Sequence, residues 1–272
     1  MVWPRPPRFP LFWIPCAAMG IDLHLYRQSP SEKTRLDNLM AIIPKGRQSV
    51  LDVGARDGYV YTLLAAHFTK VIAVDVKELA SRPPGVLCAR ADVTSLSFLD
   101  NSFDVVVCAE VLEHIPEPML GKACAEIIRV ARHEVVIGVP YKQDIRFGRT
   151  ICLSCGRGNP PWGHVNSFDE NRLKKVFGPL RFVAKAVVGP PSSKTNLLSS
   201  GLMDLAGNPW GTYNQEEVCI WCGAALIPPQ QMVGLQRVFA KLGQLLTKFQ
   251  NCVIAPTPMW IHAVFAKEAL SQ

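Results

Sequence analysis

The 272-residue sequence predicts an open α/β fold, a mostly parallel sheet with helices on both faces. Short unbroken Val/Ile/Leu runs (SVLDVG, VIAVDV, FDVVVCAE and EVVIGVP) alternate with helical patterns. Such runs mark strands covered on both sides, the usual condition of parallel strands. Acidic residues also recur at the tips of successive runs, at Asp52, Asp75 and Asp92. Hydrophobic residues at 49% and charged residues at 19% fit a globular chain and exclude a disordered one.

The elements follow in order. Ser29-Pro30-Ser31-Glu32 offers a cap, a proline at the first helical position and an acid three residues after the cap, so a helix should run to about Ile43, ended by Pro44 and Gly46. SVLDVG is the first strand, followed by a helix from about Asp57 to Phe68, then strands in VIAVDV, VLCARADV and FDVVVCAE. A helix over about Glu117 to Ala131 leads into the strand EVVIGVP. Residues 141–167 read as a Gly/Pro/Cys-rich loop, ahead of a short helix capped by Ser167 or Asp169 and a strand LRFVAKAVV. Residues 189–230 are a second irregular stretch. The helix in 231–249 places Leu235, Val238, Phe239, Leu242, Leu245, Leu246 and Phe249 on one face, with Arg237, Lys241 and Lys248 elsewhere. That face is expected to pack on its own domain, with a membrane surface or an oligomer contact as its other uses. A strand near MWIHAVFAKE closes the chain. Residues 29–272 are expected to form one domain, elaborated by 141–167 and 189–230. Residues 1–28 are expected to be a disordered extension, because the prolines of MVWPRPPRFPLFWIP oppose the helix a signal peptide needs.

The net charge of +7 is scattered, so it permits an acidic small molecule, a phosphorylated glycan or a nucleic acid and requires none. Four of the nine cysteines form two CxxC pairs, which points to a reducing, cytoplasmic setting rather than a disulfide framework. No apolar run approaches the roughly 20 residues that a membrane span needs.

In an open parallel sheet, ligands bind beyond the carboxyl ends of the strands. Gly54 would let a ligand approach the backbone, and Asp75, 21 residues further on, can accept hydrogen bonds from both hydroxyls of a ribose. Asp92 is placed to meet an adenine edge. Each acid taken alone also reads as a turn or cap residue.

LDVGARDG, VIAVDV, ADVTSLSF and SFDVVVCAEVLEHIPEP, in this order, resemble the class I S-adenosylmethionine-dependent methyltransferases, in particular the group with EVLEHI after strand four. The resemblance covers about Leu36 to Pro140, and His164-Val165-Asn166-Ser167-Phe168 matches the family's His-x-x-x-Phe segment. It implies a Rossmann-like seven-stranded sheet and S-adenosylmethionine as cofactor. It further implies Asp52 and Gly54 by the methionine moiety, Asp75 on the ribose, Asp92 and Val93 at the adenine, and Glu110 by the reacting end. Arg56 departs from the family, which commonly has glycine there. NAD-type Rossmann enzymes lack the EVLEH segment.

Cys152 and Cys155 precede Gly156, and Cys219 and Cys222 precede Gly223, so the pattern CxxCG occurs twice. Two-residue spacing turns both thiolates toward one ion, and four thiolates close a tetrahedral zinc shell, which would staple the irregular insertion. Asn159-Pro160-Pro161-Trp162 resembles the tetrapeptide with which amino-methylating enzymes grip a base, but that family places it directly after strand four. Here it falls one strand later and reads as a rigid turn with an aromatic plug. His164 and His114 are the candidate bases for a hydroxyl acceptor, with Glu113 behind them. The acceptor is expected to be a small molecule, a sugar or glycan, or a lipid. An RNA methyltransferase using the zinc loop on the backbone, and a binding protein without turnover, are the alternatives.

Overall fold

The computed structural model describes residues 27–79, 83–215, 217–229 and 232–268; the N-terminal extension expected over 1–28 lies outside them except for Arg27 and Gln28. Helix α1 (Pro30–Ile42) begins as expected, with the Ser29 hydroxyl accepting the Glu32 amide at 3.2 Å. Glu32 does not reach back to the cap, however. Its buried carboxylate pairs with Arg27 and takes two 2.7 Å bonds from Arg35, while Arg27 grips Asp57 through Nε and Nη2 at 2.9 and 2.8 Å. A buried carboxylate needs such partners.

Strands β1 (Ser49–Val53), β2 (Lys70–Asp75), β3 (Val86–Arg90), β4 (Phe103–Ala109) and β5 (Ala131–Pro140) alternate with α2 (Tyr59–Leu64) and α3 (Glu117–Val130). The chain continues through the short pair β6 (Thr150–Ile151) and β7 (Gly158–Asn159), α4 (Glu170–Val176), β8 (Arg181–Ser192), α5 (Leu197–Leu205), α6 (Gly234–Val253) and β9 (Thr257–Ala266). The main sheet has seven strands in the order β3-β2-β1-β4-β5-β9-β8, with β1 to β5 parallel and β9 antiparallel to both neighbours. Strand order reverses between β1 and β4, which makes their carboxyl ends the switch point.

Alternate residues feed two cores. Leu51, Val53, Val106, Cys108 and Ile137 face one helix layer with Ile127, Leu173 and Phe177, whereas Val50, Val105, Val107 and Val136 face the other with Leu39, Tyr61 and Leu64. This two-sided burial is why the strands read as unbroken apolar runs.

Three expectations are corrected. Strand β3 ends at Arg90, so Asp92 lies two residues past it, in a turn bridged to Ser95. The stretch 189–230 contains helix α5, whose N-cap Asn196 accepts the Ser199 amide at 2.8 Å. Helix α6 does not bury its apolar face. It packs on α5 through Ala240 and Gly243, and Asn251 exchanges two 2.9 Å bonds with the backbone of Lys194. Leu235, Val238, Leu242, Leu245 and Phe249 are exposed.

Candidate active site

The carboxyl ends of β1, β2 and β4 bring Asp52, Asp75 and Glu110 to the switch point. Asp52 is buried, its Oδ2 has no partner, and burial followed by the charges of Asp75 and Asp57 pushes its pKa up to about 7. Gly54 has φ 81°, and a Cβ there would fall 2.1 Å from Cγ2 of Val111. Both facts require glycine, the first by backbone sterics and the second by the close approach of the turn after β4.

Arg56 also lies in the left-handed region, at φ 40°, and its amide donates to Oδ2 of Asp75 at 2.9 Å. Asp75 Oδ1 accepts the Lys77 amide at 2.8 Å. Two backbone donors therefore hold this carboxylate at the strand tip. Asp92 Oδ1 accepts the Thr94 amide at 2.8 Å in an Asx turn beside buried Val93.

Glu110 turns sharply, at φ 58°, and its Oε2 accepts from Trp260 Nε1 at 3.3 Å. A single 3₁₀ turn, Leu112–His114, follows it. Glu113 is fully buried with neither carboxylate oxygen paired, and burial plus the neighbouring Glu110 raises its pKa well above the carboxylate range. His114 and His164 face each other edge to face with ring centroids 4.6 Å apart. Burial lowers their pKa values to about 4 and about 3, aided for His114 by the Arg56 charge and for His164 by His114. Both imidazoles are neutral at pH 7, and His164 Nδ1 engages Gln143 Oε1 at 2.6 Å, which turns Nε2 to the other side. One ligand atom each from Glu113, His114 and His164 lie within 4.8 Å of one another, a set able to bind a proton or a cation.

The strap after β5 holds this turn. The Val165 and Asn166 amides donate to Glu113 O at 2.8 and 3.1 Å, and Asn166 Nδ2 donates to Leu112 O and Ile115 O at 3.1 and 2.5 Å. The sequence picks out Glu113, His114 and His164 separately. Their convergence, the Asn166 clamp and the Gln143 contact have no local signature, because each joins segments some fifty or twenty residues apart.

The four CxxC cysteines come together apart from this site. Cys152 and Cys222 Sγ are 3.6 Å apart, Cys155 and Cys219 Sγ 3.7 Å, and all four lie within 4.8 Å. A disulfide would bring sulfurs to about 2.05 Å. The edge of a tetrahedron with 2.3 Å metal–sulfur bonds is about 3.8 Å, which these separations fit. The two loops are near copies: Gly156 and Gly223 amides donate to Cys152 and Cys219 carbonyls at 2.8 Å, and Cys152 and Cys219 amides donate to Arg157 and Ala224 carbonyls at 2.9 and 2.8 Å. His164 is not part of the quartet. Trp162 is no plug, being part exposed, with its ring centroid 5.9 Å from that of His164. Buried Asn159 of the same tetrapeptide instead joins the loops, its Oδ1 accepting the Ile220 amide at 2.9 Å.

Comparison with known proteins bears on the fold. Residues 51–137 match the methyltransferase domain family. Over 150 residues the chain is 36% identical to a Mycobacterium tuberculosis protein named "Probable S-adenosylmethionine-dependent methyltransferase", covering 52% of this chain and 51% of that one. Over 107 residues it is 30% identical to the ubiquinone biosynthesis O-methyltransferase of Albidiferax ferrireducens, covering 35% of this chain and 42% of that protein. The chain thus spans about half or less of these curated relatives. Among solved structures, the N-methyltransferase NodS of Bradyrhizobium japonicum, in complex with S-adenosyl-L-homocysteine, aligns with a TM-score of 0.52 at 16% identity, over 92% of this chain and 94% of that one. The fold is the Rossmann-like methyltransferase fold. The matched family segment holds Asp52, Gly54, Asp75, Asp92, Val93, Glu110, Glu113 and His114, but ends before His164 and the cysteines.

Proposed function

We propose that the chain transfers a methyl group from S-adenosylmethionine to a hydroxyl on a small molecule, glycan or lipid intermediate. The observation that carries this is the gathering of Asp52, Asp75 and Glu110 at the switch point, with the Glu113/His114/His164 group next to Glu110. The sulfonium cofactor supplies an electrophilic methyl. Asp52, with its unpaired Oδ2, is suited to the cofactor's amino group, and ionises on meeting that charge. Asp75 is suited to the ribose hydroxyls, Asp92 and Val93 to the adenine, and Glu110 to the methyl-bearing end.

In an in-line displacement the acceptor oxygen forms the new C–O bond as the C–S bond breaks, and its proton must go to a base. His164 and His114 are the candidates: both are neutral, and because burial weakens them as bases, either would take the proton only as the C–O bond forms and the oxygen becomes acidic. Alignment in a water-poor pocket contributes most of the rate. The name of the Albidiferax relative, an O-methyltransferase, favours an oxygen acceptor over a nitrogen.

Calorimetry with S-adenosylmethionine tests the reading. Wild type should bind, and Asp75→Ala should bind roughly ten- to a hundredfold more weakly, the cost of losing charge-assisted bonds to two hydroxyls. No heat with wild type would remove the proposal. Heat without turnover on any hydroxyl acceptor would leave a binding protein, and turnover on RNA that falls steeply with salt would support the RNA alternative.

A second reading of the Glu113/His114/His164 group follows from the two unpaired oxygens of Glu113: a divalent cation that displaces the Glu113 proton, held by the resulting carboxylate and two neutral imidazoles, would orient the acceptor oxygen. Titration of magnesium and manganese into wild type and Glu113→Gln distinguishes it, since only wild type should take up the ion. For the cysteine quartet the donor set and spacing support one structural zinc, closed to substrate, in a reducing cytoplasmic setting where thiolates persist.

A further inference from the structure

Helix α6 is inverted relative to an ordinary surface helix. At about 100° per residue, Leu235, Val238, Leu242, Leu245, Phe249 and Val253 form one stripe along all five turns. All six are exposed, Leu245, Phe249 and Val253 by 63–68%. The side turned to the body is small and polar instead: Ala240 and Gly243 are buried, Gly243 lies close against Met203, Gln250 Oε1 accepts from Asn196 Nδ2 at 2.7 Å, and Asn251 is bonded to Lys194. Nothing among the described residues covers the stripe. A contiguous apolar face of this kind marks a contact rather than a solvated surface.

Charge identifies the contact. The helix GLQRVFAKLGQLLTKFQNCV contains no acid, and its three cations, Arg237, Lys241 and Lys248, fall within roughly 40° of arc along one edge of the stripe. All three are exposed. Lys248 also lines, with Arg146 and Arg149, a cavity of about 320 Å³ between α5 and α6. A hydrocarbon stripe edged on one side by cations is what lies in the headgroup boundary of an anionic bilayer, the side chains entering the acyl region and the ammonium groups staying at phosphate level. A second copy of the chain paired antiparallel would bring the cationic edge of one helix near that of the other when the stripes meet, and in either orientation the partner helix offers no acid to those cations.

We propose that α6 docks this protein on an anionic lipid surface, lying in the plane of the interface with Leu242, Leu245 and Phe249 inserted and Arg237, Lys241 and Lys248 at the lipid phosphates. The helix does not cross the membrane: no helix among the described residues is long and apolar enough for that. The proposal is independent of methyl transfer, and its readout is partitioning alone. One structural consequence places it near the chemistry. The segment between β8 and α5 is tied by Thr195 to Asp144, 2.6 Å away, next to the Gln143 that contacts His164, so the α5–α6 pair is anchored to the loop beside the candidate site.

The test is flotation of the full chain with vesicles of phosphatidylcholine alone and of phosphatidylcholine containing phosphatidylglycerol. Wild type is expected to float with the anionic vesicles and to lose binding as salt rises. Paired Leu242→Glu and Phe249→Glu should abolish flotation. Arg237→Gln with Lys241→Gln should weaken it by roughly fivefold per cation removed. All four positions are exposed, so circular dichroism and cofactor calorimetry should match wild type and show the fold intact. Wild type left in the soluble fraction overturns the proposal; a dimer in ultracentrifugation that Leu242→Glu dissociates then assigns the stripe to a second copy, and a cross-link from residues 1–26 to α6 assigns it to the chain's own N-terminal segment. Flotation unchanged by all the α6 variants also overturns it.

Discussion

The Arg56 amide donates to Asp75 Oδ2 at 2.9 Å while Arg56 itself sits at φ 40°. A side-chain-bearing residue is thus held in the left-handed region by a bond to the carboxylate proposed for the ribose. That conformation costs roughly 1–2 kcal/mol in a residue with a Cβ, which glycine avoids at some loss of chain entropy. Arg56→Gly should therefore leave stability within about 1 kcal/mol of wild type in a denaturant titration. It also removes a positive charge that depresses His114, so the His114 imidazole should titrate at higher pH by NMR.

Asp52 makes the ligand-free protein sensitive to pH. Its folded pKa of about 7 lies above its ordinary value of 3.8, so between those values the folded chain holds a proton that the unfolded chain has released. Stability falls as pH rises through this window, by up to about 4 kcal/mol from this group alone. Asp52→Asn should flatten the loss in melts between pH 4 and pH 8. S-adenosylmethionine should offset the same loss in wild type and release protons on binding near pH 7, seen as a buffer-dependent heat.

Asn166 clamps the turn carrying Glu113 and His114, donating to two carbonyls and accepting from Arg172 at 2.8 Å. Asn166→Ala leaves buried groups unpaired and should cost about 2–3 kcal/mol in chemical unfolding. Hydrogen exchange should quicken at the Val165 and Asn166 amides and stay slow in β4.

Cysteine replacement should separate the insertion from the sheet. Cys219→Ser is expected to lose one zinc per chain by native mass spectrometry, and protease should then cut within residues 141–167 and 193–230 about tenfold faster while the seven-stranded sheet, β8 included, persists. The cores on both sheet faces do not include these thiols, of which buried Cys152 and Cys219 form a small cluster with Leu226. Asn159→Ala should loosen the two loops without releasing the metal, because it removes the acceptor for Ile220, the bond to Arg157 O and a contact to Cys219 but leaves all four thiols in place.

How far the sequence reached differs between fold and site. Strands β1, β2, β4 and β5 were legible because burial on both faces leaves an apolar run that needs no knowledge of neighbours. The end of β3 was misplaced since Asp92 accepts its own loop amide, a local bond that ends pairing early. Helix α5 was missed because its LLSSGLMDL segment exposes Leu197, Leu198 and Leu205, so it lacks the inward apolar periodicity of a packed helix. The buried Arg27/Glu32/Arg35 network was invisible because charge at a helix start reads as solvated surface until the partner at Asp57 is known.

By itself the sequence determined the covered parallel sheet, the acid at each of two strand tips and the paired CxxCG loops, all of which arise from residues close in the chain whose spacing sets backbone shape. Tertiary structure alone decided that Glu113, His114 and His164 share one buried space, that sulfurs about seventy residues apart reach metal-binding separation, and that the apolar side of α6 faces out. Periodicity shows that a helix has an apolar side, but which side is covered depends on the shape of what packs against it. Here the small residues Ala240 and Gly243 allow closer packing on α5 than the leucines would.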